Sequence, residues 1–115
     1  MTALSRANVR TLSIAVFAGL VASTPVSNAV AAGREYVVPM ANMSFGPIPT
    51  GLKAGDTIVF VNKDSVPHTV TARNHSFDLR IGPGQSRRLN LTKAGSYPIY
   101  CILHAPMRAT ITVGT

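Results

Sequence analysis

The chain has one cysteine, no tryptophan and only four acidic side chains among its 115 residues. A single thiol, Cys101, cannot close an internal disulfide. No apolar run approaches the roughly 20 residues that a membrane-crossing helix needs; the most apolar stretch, Leu12 to Ala22, is short and interrupted by Ser13 and Gly19. No segment after Gly33 sustains helical periodicity, and there is no internal repeat and no low-complexity linker. Basic residues outnumber acidic ones, yet they are scattered rather than grouped with aromatics, which excludes nucleic acid as a partner class.

The first 32 residues read as a segment apart. Arg6 and Arg10 give a basic start, the apolar stretch follows, and Thr24, Pro25 and Ser27 lead to the small-residue run Ala29-Val30-Ala31-Ala32. That order is the layout of a secretory signal peptide, cleaved after Ala31 or Ala32. The expected organisation is a signal peptide over residues 1–32 and one small domain over 33–115, exported to a periplasm and carrying no transmembrane segment. Without Arg6 and Arg10 the domain keeps nine basic residues against four acidic ones, a net of +5. A basic surface of this kind suits an acidic protein partner. Exported domains this small commonly reinforce their cores with disulfides. A lone exported thiol is therefore either buried and inert or a metal ligand.

The domain reads as all-β. Runs rich in β-branched and aromatic residues lie near Glu35–Met40, Ile48–Leu52, Thr57–Asn62, His68–Ala72, Phe77–Leu79, Ser86–Leu91, Gly95–Cys101 and Arg108–Val113. Turn signals such as Ala54-Gly55-Asp56, Gly82-Pro83-Gly84 and Lys93-Ala94-Gly95 separate them. Short strands at this spacing predict an antiparallel sandwich or barrel. Pro98, inside one run, must lie at an edge or a bulge. Period two puts Tyr97, Ile99 and Cys101 on one face, so Cys101 ends a strand on the side of its apolar neighbours.

Beyond that strand the chain reads Cys101-Ile-Leu-His104-Ala-Pro-Met107, a thiol, an imidazole and a thioether within seven residues. The reading is a tight loop, with strand resuming at Arg108. A second imidazole, His68, opens an upstream strand. Each residue alone has a bland reading: a structural histidine, a buried thiol, a core methionine. Together, two imidazoles, one thiolate and a weak thioether suit one copper ion and one-electron chemistry. Zinc would accept cysteine and two histidines, but copper binds more tightly and takes thioether better. A dinuclear copper centre needs a second cysteine and is excluded. His75, in the polar stretch Arg73-Asn74-His75-Ser76, reads as solvated.

The chain resembles a cupredoxin across residues 35–113, on Gly55-Asp56-Thr57-Ile58-Val59-Phe60-Val61-Asn62, His68-Thr69-Val70, Phe77-Asp78 and the Gly95 to Met107 segment. Its short Cys-x2-His-x2-Met spacing is most similar to the amicyanin group. The resemblance implies a Greek-key β-sandwich of about seven to eight strands, with His68, Cys101 and His104 around copper and Met107 as a weak axial ligand. It implies that the Asn62 side chain hydrogen-bonds the Cys101 loop and ties it to the His68 loop. It also implies that the edge of His104 emerges through an apolar patch, with Pro67 and Pro106 as members. Leu103 stands where amicyanins commonly carry proline, and Ala105-Pro106 where a proline–aromatic pair is typical, differences that bear on the partner surface.

No titratable dyad or nucleophile–base pair suggests catalysis. The expected function is a monomeric electron shuttle between exported redox proteins, not an enzyme. The alternative is an exported copper carrier or sink without an electron-transfer role.

Overall fold

The computed structural model describes residues 33–115; the signal-peptide expectation falls on residues 1–32, outside the described residues. Among the described residues there are nine strands and no helix. They are β1 (Glu35–Ala41), β2 (Ser44–Phe45), β3 (Leu52–Lys53), β4 (Thr57–Asn62), β5 (His68–Ala72), β6 (Asp78–Ile81), β7 (Ser86–Asn90), β8 (Gly95–Cys101) and β9 (His104–Gly114). One sheet runs β2-β1-β4-β7 and the other β3-β9-β8-β5-β6. Both contribute to one core: Val38, Met40, Ile58, Phe60 and Leu89 from the first, Val70, Ile81, Ile99, Ile111 and Val113 from the second. Alternation explains the packing. In β4 the residues Ile58, Phe60 and Asn62 are buried while Thr57, Val59 and Val61 are only half-buried, as period two requires of a sheet with one covered face.

The all-β sandwich is as expected, with differences in detail. Two strand pairs are parallel, β1 with β4 and β3 with β9, so both sheets are mixed. Strand β9 begins at His104, not Arg108. The connection after Cys101 is therefore a two-residue turn, Ile102-Leu103, closed by pairing of Cys101 with His104. The expected strand Ile48–Leu52 shrinks to Leu52–Lys53.

Pro98 lies in an interior strand, not at an edge, at the point where β5 ends. Its carbonyl accepts from the Arg73 amide just past the end of β5. N and O of one strand residue point the same way, so the missing N–H forgoes the reciprocal bond to the Arg73 carbonyl, one residue beyond β5. A register irregularity does occur in this strand, between Tyr100 and Cys101, where the chain turns toward the donors.

Candidate metal centre

Three of the four candidate donors, His68, Cys101 and His104, meet at one end of the sandwich because of where strands begin and end. His68 is the first residue of β5, Cys101 the last of β8 and His104 the first of β9. His68 and Cys101 are completely buried and Met107 nearly so, while His104 is half-buried. His68 Nδ1 stands 3.9 Å from Cys101 Sγ. The His68 and His104 rings meet edge-on, with centroids 5.0 Å apart and planes at 76°. Exposed Ile102, Leu103, Ala105 and Pro106 flank His104, and Pro67 is exposed beside His68. Of these, Pro67, Leu103, Ala105 and Pro106 were singled out in the sequence in connection with a partner surface, and Ile102 was not.

Buried sulfur and imidazole need partners, and the neighbouring backbone provides them. The Thr69 amide donates to Cys101 Sγ at 3.2 Å. The Thr69 hydroxyl accepts from the Ile102 amide at 2.8 Å. Thr69 is thus the residue that ties the Cys101 turn to the His68 strand. The sequence pointed to Asn62 for that task, and this is corrected by the hydrogen bonds. The Asn62 side chain donates to the carbonyls of Val66 (2.8 Å) and Ile81 (3.1 Å) and accepts from the Asp64 amide (2.9 Å). It braces the approach to His68 against the end of β6, not against the Cys101 turn. Thr69 went unnoticed because a threonine inside a strand carries no sign of what its hydroxyl meets.

The other imidazole nitrogen is also engaged. His68 Nε2 lies 2.8 Å from Asp64 Oδ2. Asp64 is 17% exposed, and its oxygens further accept from the amides of Asn42 (2.8 Å) and Met43 (2.9 Å). The His68 contact, then these amides, hold the Asp64 carboxyl below the usual carboxylate range. Asn42 and Met43 form the two-residue link between β1 and β2 and both have positive φ, 54° and 59°. A two-residue hairpin of the primed type demands this geometry, which costs a residue with a Cβ about 1–2 kcal/mol.

The chemistry of the donors decides which metal ion fits here. Among the described residues no three His, Cys, Asp or Glu side chains converge into a ready-made cluster. His104 leans on His68 instead of sharing a common focus with it and Cys101. The donor chemistry nonetheless fits copper: a buried thiol 3.9 Å from an imidazole nitrogen, a second imidazole against the first and a buried thioether, the soft-and-borderline set that copper prefers. His75 is exposed in its turn, as its sequence context suggested.

The chain is also similar to known proteins. Residues 12–113 match the model of a cupredoxin-like domain. Amicyanin of Paracoccus denitrificans is 30% identical over 96 residues, covering 78% of this chain and 73% of that protein. The chloroplastic plastocyanin of Pisum sativum is 27% identical over 124 residues, covering 94% and 74%. Among solved structures, a Cu(I) form of an amicyanin variant matches with a TM-score of 0.62 at 27% identity, covering 70% of this chain and 82% of that one. Amicyanin from Paracoccus versutus matches with a TM-score of 0.59 at 25% identity, covering 68% and 79%. With two facing sheets of this topology and a family match over most of its length, the chain belongs to the cupredoxin-like family.

Proposed function

We propose that this protein is an exported type 1 copper protein that carries single electrons between redox partners. The observation that carries the reading is the buried Cys101 thiol, held by the Thr69 amide and facing His68 Nδ1 across 3.9 Å. An inert core cysteine would have no reason to face the nitrogen of a buried imidazole. His68, Cys101 and His104 would hold the ion, with Met107 as the weak fourth ligand. Bound there, copper supplies a one-electron couple between Cu(II) and Cu(I). The solved amicyanin described as a Cu(I) form supports copper as the metal.

The chain's own residues do the rest. Burial of Cys101, His68 and Met107 keeps water and thiol oxidants from the donors. The Thr69 amide donates to the sulfur and the Thr69 hydroxyl accepts from the Ile102 amide, which fixes the Cys101 turn against the strand that carries His68. Four protein donors leave little room for substrate, which fits an electron carrier rather than an enzyme. His104, half-buried and ringed by Ile102 (47% exposed) and Leu103 (42% exposed), provides an apolar contact surface close to the metal. The excess of scattered arginine and lysine suits an exported redox partner with an acidic docking face. The chain acts as a monomer, delivered to the periplasm by the signal peptide in residues 1–32. Among the described residues, no helix is long and apolar enough to cross a membrane.

The deciding experiment is visible spectroscopy of the copper-loaded protein with reversible reduction. An intense blue Cu(II) form that cycles by one electron, and is lost in Cys101→Ser, is expected. A colourless protein that holds only Cu(I) would point to a copper carrier or sink.

A further inference from the structure

Asp64 is a surface-loop carboxylate that does three things at once, and none of the four donors explains it. Its two oxygens receive three N–H groups: the amides of Asn42 and Met43 and the far nitrogen of His68. An ionised carboxylate can only accept. The proton of a neutral His68 therefore sits on Nε2, and Nδ1 keeps its lone pair on the side of Cys101 Sγ. Residues that bond the far nitrogen of a metal-binding histidine set its tautomer and orientation and raise its basicity.

We propose that Asp64 is the positioning residue that makes Nδ1 the metal-facing nitrogen of His68 and, as a fixed anion behind that ring, favours Cu(II) over Cu(I). This inference rests on the copper reading for its second half only. The first half concerns the metal-free protein. The anion acts through the imidazole on a site whose charge is higher in the oxidised state, so its attraction is larger for Cu(II). The reduction potential is consequently held down by Asp64. Because the same oxygens clamp Asn42 and Met43, the anion is fixed by a second element. The β1–β2 turn and the metal histidine thus share one anchor.

The decisive variant is Asp64→Asn. An amide has one acceptor oxygen where three N–H groups converge, so its own NH2 must face a donor. To protect the fold, the change is made in a Met43→Gly background, which relieves the positive-φ strain in the turn. In the apo protein, long-range proton–nitrogen NMR should show His68 as one tautomer, protonated at Nε2. Asp64→Asn should bring in the Nδ1-protonated form, and Asp64→Glu should suppress it again. In the copper-loaded protein, Asp64→Asn should weaken Cu(II) binding about 10–100-fold and Cu(I) binding less. The potential then rises by about 59 mV for each tenfold of difference. An unchanged tautomer in Asp64→Asn, or equal losses for both oxidation states, would overturn the proposal. If the parent protein forms no blue copper site, the functional reading falls, while the apo spectra still decide whether Asp64 positions His68.

Discussion

The two ends of strand β4 are built with the same device and put to different use. At its start, the Asp56 carboxylate accepts from the amides of Arg34 (2.8 Å) and Lys53 (2.9 Å). Just past its end, the Asp64 carboxylate accepts from the amides of Asn42 and Met43. In each case a carboxylate gathers the backbone of segments flanking β1 and β4, the parallel pair at the centre of the four-stranded sheet. The difference is one further hydrogen bond. Asp56 is buried to 7% exposure and is satisfied by backbone. Asp64 gives its remaining acceptor capacity to His68. A device that merely closes the sandwich at one end also engages the buried His68 imidazole at the other.

The largest change expected comes from the strand both ends share. Phe60 is completely buried in the middle of β4 and packs edge-on against Phe45, with ring centroids 6.3 Å apart. Phe60→Ala should cost about 3–5 kcal/mol, measured by urea unfolding. It should speed hydrogen exchange of the Arg34 and Lys53 amides and of the Asn42 and Met43 amides alike. If only one pair responds, the two ends are not linked through β4.

Asn62→Ala should act on one end alone. It leaves the buried Ile81 carbonyl and the part-buried Val66 carbonyl without their side-chain donor, a loss of roughly 1–3 kcal/mol. Exchange at Asn42, Met43 and Asp64 should quicken while Arg34 and Lys53 stay protected. Equal loosening at both ends would erase the distinction.

Asp56→Asn tests the other end through pH. The Lys53 amide, then the Arg34 amide, lower the Asp56 carboxyl from its ordinary value. A depressed folded value means that the stabilisation is complete above the unfolded value, near 3.9, and is lost as pH falls through the folded one. The variant should melt at a lower temperature at neutral pH and show a flatter stability curve below about pH 4. Its reduction potential should match the parent's. A shifted potential would mean that the closed end reaches the site after all.

The smallest effect belongs to a histidine at neither end. His75 is exposed, so His75→Ala should change stability by no more than about 0.5 kcal/mol and leave the blue spectrum as it was.

Much of this was legible in the sequence where local pattern decides structure. Strands β4, β5 and β8 begin and end where alternation and turn residues put them. The start of β9 was not, because Ile102-Leu103 lacks the glycine or asparagine that marks a tight hairpin, and a donor cluster reads more readily as a loop. The parallel pairs were hidden for a different reason. Leu52 meets Val113 across most of the domain, and no local signal records such a partnership. Side-chain hydrogen bonds were the least legible layer. Asn62 was singled out as a support, yet its partners proved to be Val66, Ile81 and Asp64. Thr69 and Asp64 do the adjoining work without any compositional sign.

Strand β9 is late in the chain yet interior in its sheet, between β3 and β8, and it carries His104 at its first residue and Met107 three further on. A growing or threading chain cannot complete this sheet before β9 arrives. Contacts so distant along the sequence place the domain among slowly folding β-topologies, on the millisecond-to-second scale. During that interval the Cys101 thiol lacks its final cover. Folding speed therefore sets how long the thiol is open to oxidation, and any substitution that slows β9 docking lengthens that window even when the finished fold is unchanged.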